Sequence, residues 1–549
     1  MIRRDRMVRA EKLGAAEERL ATGKSQRVVA EELGVARSTL QDWRRASSLD
    51  GVPETLAAFV ATPEGVRWLQ RMLLAAQFAI TLRGGAGVRV VCEFLQLSGL
   101  SAFVGASYGS QQKLNSALEK AVVTLAEEQR AALAAGMAPR QVTVCEDETF
   151  HPEICLVALE PVSNFILLEQ YAQDRSAATW TQALQQAIAE LPVEVIQGTS
   201  DEAKALRRHI EKECNAQHCP DLFHVQHEVA KATGLHLARQ VKQAEAQVAS
   251  AEAHWRSECE AEQAYRRQRQ RPVGRPPAFK QRIQAALSEQ ALTAQREARD
   301  LLGELGELYH PYALDSGRAQ PAERLAPRLE DVWRRLNALA DSADLPTRAR
   351  EHLAKAQRLT TELLATLTFF FATLLAKIEA LNLPLAVHEA VIEQLIPAIY
   401  LERVASRSTR AESRHRLRTL SQQLLKPLRQ PVHPLQQLAP TLQARIEQVA
   451  AECADLFQRS SSAVEGRNGQ LSLFHHGRHR LSDNKLAALT AVHNFHIRRL
   501  DGTTAAERFF GRAHVPLFEQ LIDRVPLPPP PRQRRSIQPK QPFLMPMAA

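Results

Sequence analysis

The chain has 549 residues, enough for about three or four domains of ordinary size with large buried cores. Its formal net charge is +9 and its pI is near 9.3, an excess that favours an anionic partner, nucleic acid first, over an acidic small-molecule substrate. Seven scattered cysteines argue against a disulfide scaffold and, with no apolar segment at the N-terminus, predict a cytoplasmic protein.

Residues 1–50 are predicted to form a helix-turn-helix DNA-binding domain. Gly34 permits the positive φ of a tight turn between two helices. A small core would be built from Val29, Ala30, Leu33, Val35, Leu40 and Trp43. The second helix would present to a major groove and its flanking phosphates Ala36, Arg37, Ser38, Thr39, Gln41 and Arg44. A helical hairpin without a ligand is the alternative.

Residues 51–139 have a helical pattern, with apolar residues three and four positions apart. Gly84–Gly87 interrupts it, and the segments that follow are typical either of a second helix-turn-helix or of a structural connector.

The period changes in residues 140–226. A β-branched run, residues 142–150, ends in a group of acids that includes Asp147. Further strands are predicted at 154–160, 165–171, 193–196 and 221–223, with helices at 176–190 and 203–214. This order of elements is that of a ribonuclease-H-like core: three strands, a helix, a strand, a helix and a last strand. That order places Asp147 on the first strand and Asp201 just past the fourth, where the strand ends are neighbours.

Residues 227–458 are predicted to be an all-helical insertion, so the chain is predominantly α overall. Residues 271–277 break it, either as a simple connector or as an incomplete minor-groove clamp. Its longest apolar run, residues 363–376, is too short to span a bilayer, so we expect a core helix and no membrane partner. Residues 459–525 would complete the core with a helix that carries Glu465. Residues 526–549 form a Pro-rich basic tail, predicted to be extended or disordered.

Three acids far apart in the chain are the candidate metal ligands: Asp147, Asp201 and Glu465. Carboxylates suit hard cations, and such a set can hold two Mg²⁺ or Mn²⁺ ions. Asn468 follows Glu465 on the same helical face and would support the metal or a DNA backbone. Each site is crowded with acids, so Glu146 or Glu148 are alternatives to Asp147, and Glu202 to Asp201.

Two weaker clusters also carry alternatives. A zinc site is suggested by Cys214, His218, Cys219, His224 and His227, but their spacing fits no standard one. The basic piece at residues 475–480 is either a solvated helix face or a phosphate contact.

These motifs together resemble the bacterial insertion-sequence transposases of the DDE superfamily, whose catalytic cores are retroviral-integrase-like. The chain is similar to the branch, including hAT and Mutator-like elements, in which an all-helical domain interrupts the core before the final Glu. In that branch the second Asp is followed by a short motif in which a Cys or Asp is separated from a His by two residues. Residues 221–224 of this chain match that motif. The Ser-rich lead into residues 464–468 resembles the last motif of the family.

The resemblance implies a catalytic triad of Asp147, Asp201 and Glu465, with His224 near the scissile phosphate or the flanking base. It also implies DNA contacts near the final Glu, for which Arg467 and Asn468 are the candidates. The expected partners are double-stranded DNA, as element ends and target, and further copies of the chain. A catalytically silent DNA-binding regulator and a ribonuclease-H-like nuclease are the alternatives.

Overall fold

A computed structural model describes residues 12, 14–16, 18–37, 39–40, 53–150, 152–201, 203–267, 278–458, 461–476 and 480–527. The described part is predominantly helical and contains one small mixed sheet. It divides into two compact units, residues 1–127 with 515–549, and residues 128–514.

The described residues of the first unit form helices and their connections, with no strand among them. Its helices are α1 (Gln26–Glu32), α2 (Glu54–Ala61), α3 (Pro63–Gln77), α4 (Val88–Leu97) and α5 (Tyr108–Ala134), which continues into the second unit. A π-helix, Phe78–Arg83, extends α3. Around α1, Ala16, Val29, Ala30 and Leu40 form a small buried cluster. Gly34 has a φ of +61°, as the predicted tight turn requires.

The C-terminal helix of the described chain belongs to this first unit. It is Leu517–Arg524, named α19 because it comes last in chain order. Phe78 meets Phe518 edge-to-face, and the Gln70 amide donates to the carbonyls of Ile522 and Val525 at 2.7 Å. Residues 515–525 were predicted to be part of the core, whereas in the structure they belong to the first unit and α19 packs against α3.

The second unit contains a five-stranded sheet. Its strands are β1 (Arg140–Phe150), β2 (Ile154–Glu160), β3 (Phe165–Ala172), β4 (Val193–Ser200) and β5 (Gln217–Pro220). The spatial order is β3-β2-β1-β4-β5, with β1–β2 and β2–β3 antiparallel and β1–β4 and β4–β5 parallel. Between the strands lie α6 (Ala177–Ile188) and α7 (Lys204–Arg208), which a π-helix, His209–Glu213, prolongs.

The predicted succession of strands and helices is found in this unit, but the fourth strand extends to Ser200 and the fifth strand is shifted. Ser176 caps α6 by accepting from the Thr179 amide, as expected. The fifth strand ends at Pro220 rather than spanning 221–223, because Asp221 accepts from the Phe223 amide at 2.7 Å and so starts the next helix.

The described residues of the helical insertion form eight α-helices. They are α8 (Leu222–Arg267), α9 (Ala278–Leu308), α10 (Ala322–Ser342), α11 (Thr347–Glu379), α12 (Leu385–Ala390), α13 (Ile396–Arg407), α14 (Ala411–Leu428) and α15 (Pro440–Leu456). Helix α8 begins five residues before the predicted position. The break at residues 271–277 lies outside the described residues. Helix α11 is long and apolar enough to cross a membrane by length and composition alone. Its apolar side chains nevertheless lie in a large buried core formed with the other helices of the insertion, as predicted for the apolar run; they include Leu363, Leu367, Phe370 and Leu374.

After the insertion the chain returns to the sheet with α16 (Ser462–His476), α17 (Asp483–Phe495) and α18 (Ala505–Phe510). The Asn494 side chain bonds both the amide and the carbonyl of Ile166, at 2.9 and 3.0 Å, which fixes α17 against β3.

Candidate active site

The parallel strands bring three acids to one end of the sheet. Cys145 on β1 lies opposite Thr199 on β4, and Ser200 lies opposite Pro220 on β5. Asp147, Asp201 and Asp221 therefore stand near the carboxyl ends of three adjacent strands. Such ends commonly carry ligand sites in sheets of this kind.

Helix α16 lies across this part of the sheet on the face that carries Asp147. Register shows why: Asp147 pairs with Val157, and Val157 pairs with Glu169, so Asp147 and Glu169 share one face. Asn468 donates from Nδ2 to Asp147 Oδ2 at 2.9 Å. One residue earlier, Arg467 makes two bonds to Glu169, at 2.7 and 2.6 Å.

The Glu169–Arg467 pair is buried, with side-chain exposures of 0% and 4%. Thr490 on α17 also donates to Glu169, so three elements meet at one carboxylate. The guanidinium of Arg467 is thus engaged in packing α16 onto β3. The DNA contact predicted for Arg467 is not available in this structure.

Glu465 lies one helical turn before Asn468, and Asp221 and His224 are its neighbours. Ligand atoms of these three residues all lie within 4.8 Å of one another. Asp221 is the member that the sequence did not identify as a ligand candidate. It was assigned to a strand, although its place in the motif with His224 was a usable signal.

Asp221 contacts the end of the sheet that carries Asp201 and also the two helices α8 and α16. Its backbone amide donates to Ser200, next to Asp201, at 3.2 Å, and its Oδ2 lies 3.4 Å from His224 Nδ1. The Ser461 hydroxyl donates to the same carboxylate oxygen. Ser461 directly precedes α16, so Asp221 connects β4, α8 and the helix of Glu465.

The electrostatics of the site disfavour negative charge in the absence of a counter-ion. Burial raises the pKa of Asp147 to about 7, and the nearby charge of Asp201 acts in the same direction. Burial also raises the pKa of Glu465, as does the charge of Asp221. The contact with Asp221 raises the pKa of His224, and the charges of Asp201 and Glu465 add to this effect.

The site fits a divalent cation by its donor set. Carboxylates that are held together and deprived of solvent are the ligands that Mg²⁺ and Mn²⁺ prefer. Asn468 Oδ1 is buried and lacks a hydrogen-bond partner among the described residues. This atom is available to a ligand or to its bound water.

Glu146 and Glu148, the alternatives to Asp147, lie on the opposite face of β1 from Asp147. Glu146 points to the opposite side of β1, where it lies 3.4 Å from His209 and is fully buried. It cannot replace Asp147, because successive strand residues alternate faces. Glu148 shares the face of Glu146, although the charge of Asp201 still helps to raise its pKa after burial. Glu202 lies outside the described residues.

The two weaker clusters are only partly assembled in the structure. Cys214 lies 3.7 Å from His209, whereas His218 bonds Ser200 and Cys219 bonds Gln458, so these residues do not converge on a zinc site. In the basic piece at 475–480, His475 is buried and Arg480 pairs with Glu153 and Asp483; residues 477–479 lie outside the described part.

The predicted DNA-reading residues are only partly described. Arg37 is exposed and Thr39 is partly exposed, both beyond the Gly34 turn. Ser38, Gln41 and Arg44 lie outside the described residues, as do Trp43 and the tail from 528 onwards.

A family of unknown function (DUF6399) matches residues 391–537. The matched segment contains Glu465 and Asn468 but none of the five strands. No curated protein and no solved structure matches the chain.

Proposed function

We propose that this protein is a DDE-type transposase that binds the ends of its element and cleaves and joins DNA strands with divalent metal ions. The observation that carries the proposal is the contact between Asn468 and Asp147, 321 residues apart, which brings the helix of Glu465 to the strand ends that hold Asp147 and Asp201.

The fold supports the same reading. Three antiparallel strands, continued by two parallel strands in the order β3-β2-β1-β4-β5, agree with the ribonuclease-H-like core that the resemblance implies. The insertion enters after β5 and returns just before α16. This is where an all-helical domain interrupts the core in the branch that the chain resembles.

Each residue has a defined task in the proposed reaction. Asp147, Asp201 and Glu465 would hold two Mg²⁺ or Mn²⁺ ions, which when bound activate the attacking oxygen and stabilise the leaving 3′ oxygen. Asn468 orients the Asp147 carboxylate through its amide. Asp221 contributes to the same site beside Glu465, and a protonated His224 would donate to a phosphate oxygen of the substrate.

The remaining parts are assigned by the same proposal. The segment around Gly34, with Arg37, Ser38, Thr39, Gln41 and Arg44, reads the DNA ends in the major groove. The protein acts in the cytoplasm on double-stranded DNA and assembles with further copies of itself on paired ends.

Metal-dependent nicking of DNA that contains the element ends tests this function. We expect Asp147→Ala, Asp201→Ala and Glu465→Ala each to abolish nicking while DNA binding persists. Glu194→Gln is the matched control, because Glu194 is an exposed acid on the same sheet, at the start of β4 and away from the site. Nicking that survives in all three Ala variants, or a wild type active only with zinc, contradicts the proposal.

A further inference from the structure

A dense cluster of positive charge lies outside the candidate active site, on the helical insertion. Residues 403–429 contain eight arginines and lysines and a single acid, Glu412. The acid-free stretch extends from 413 to 446. This segment is strongly basic for its length, and the whole chain has a net charge of +9.

The structure places this charge on the α13–α14 hairpin and leaves much of it unpaired. Arg403 and Arg418 are neutralised by Asp455 and Glu402, at 3.0 and 3.1 Å. Among the described residues no ion pair is found for five other exposed cations: Arg407, Arg410, Arg416, Lys426 and Arg429. A solvated surface with this many unpaired charges of one sign attracts a polyanion.

Three cations without an ion pair lie on the exposed side of α14 or directly after its end. Leu417, Ser421 and Leu428 form its buried side, so Arg416, Lys426 and Arg429 project away from the core. At about 1.5 Å per residue, Arg416 and Lys426 are separated by about 15 Å along the axis. Between them the exposed residues are Arg418, which pairs with Glu402, and three uncharged hydrogen-bonding side chains, Thr419, Gln422 and Gln423.

The hairpin is held in a fixed shape. Arg414 donates to the carbonyls of Ser408 and Thr409, at 2.9 and 3.1 Å, which closes the turn between α13 and α14. Arg407 bonds the Gln458 side chain at 3.4 Å, three residues before Ser461 and the start of the Glu465 helix. The basic surface is therefore attached to the chain segment that enters the candidate active site.

We infer that the exposed side of α14 binds the phosphate backbone of duplex DNA beside the candidate active site. The choice of DNA rests on the proposed function. Backbone binding follows from the surface itself, since residues 408–431 contain no Phe, Tyr or Trp on which unpaired bases could stack. Arginine, lysine and glutamine contacts to phosphates position a duplex without reading its sequence.

The test measures how the affinity of the full chain for a random-sequence 30-base-pair duplex depends on salt, by fluorescence anisotropy without divalent metal. For the variant Arg416→Ala/Lys426→Ala/Arg429→Ala, we expect the slope of log affinity against log salt to fall by about 2 to 3, since each phosphate contact contributes about 0.9. At ~100 mM salt the affinity should fall at least about tenfold.

The matched control is Arg324→Ala/Arg348→Ala/Arg358→Ala, which removes the same charge from exposed positions on α10 and α11. Its slope should stay within 1 of the wild type, roughly one phosphate contact. Equal losses in the two variants, or an unchanged slope in the α14 variant, overturn the inference. So does a greater loss for single-stranded RNA than for duplex DNA.

Failure of the proposed function would show separately. If Glu465→Ala retains nicking while the α14 variant loses duplex binding, the metal assignment is wrong and the DNA surface stands. If Glu465→Ala abolishes nicking and the α14 variant binds duplex DNA normally, the surface is wrong and the active site stands.

Discussion

The buried Glu169–Arg467 pair gives the sharpest prediction about how the final glutamate is positioned. Replacing Arg467 by Ala leaves the Glu169 carboxylate fully buried, with only the Thr490 hydroxyl as a partner. Removing one member of a buried ion pair costs about 3–5 kcal/mol, because an uncompensated charge remains in the core. We expect α16 to open from the sheet more readily by about two to three and a half orders of magnitude.

Hydrogen exchange within α16 is the appropriate measurement, since a chain with two units does not have one well-defined unfolding free energy. Arg467→Ala should greatly reduce protection in Ser462–His476 and little in the helices of the insertion. The double variant Glu169→Leu/Arg467→Met should recover most of that protection, because an apolar pair replaces the charges.

Activity separates positioning from general damage. Since Arg467 reaches the site only through its helix, the double variant should recover metal-dependent nicking together with protection. Exchange in α16 that is unchanged by Arg467→Ala would refute the view that this pair holds the helix in place. Recovery of protection without recovery of nicking would show that Arg467 acts directly on the substrate.

Three further predictions concern single residues. The pKa of Asp147 is raised from its ordinary value to about 7 in the folded protein. At a pH between the ordinary value and 7 the folded protein therefore binds a proton that the unfolded chain does not, so the metal-free protein should lose stability as the pH rises towards 7. Asp147→Asn should flatten this loss in melting curves recorded at several pH values, and equal slopes for the variant and the wild type would contradict the assignment. Ser461→Ala removes a donor from the buried Asp221 carboxylate, which should cost about 1–3 kcal/mol and speed exchange at the start of α16; unchanged exchange there would argue against that link. Gly34→Ala should destabilise the helices around α1 by about 1 kcal/mol, because its φ is +61°, whereas Gly34→Asn should be tolerated better; equal exchange in the two variants would contradict this.

Much of the sheet was predictable because its signals are local. The run at residues 142–150 and the two strands that follow it are separated by turn residues, and Asn164 takes the positive φ of the hairpin turn. Ser176 begins α6 through a cap that depends on its own side chain. Such features need no knowledge of the tertiary fold.

The parts that escaped prediction depend on contacts between distant segments. Arg467 looked like a DNA contact, and only the register of β3 shows that Glu169 lies beneath it. Glu146 and Asp147 are equivalent in sequence, but burial of one sheet face against Trp180 and His209 distinguishes them. The placement of α19 on α3 likewise depends on a partner about 450 residues away.

The central claim is that Asp147, Asp201 and Glu465 jointly hold a pair of divalent cations, and Mn²⁺ binding followed by electron paramagnetic resonance tests it most directly. We predict two Mn²⁺ ions per wild-type chain with spin coupling between them, and loss of the coupled signal in Asp147→Asn, Asp201→Asn and Glu465→Gln but not in Glu194→Gln. A wild type that binds no Mn²⁺, or a coupled pair that persists in all three site variants, would contradict the account.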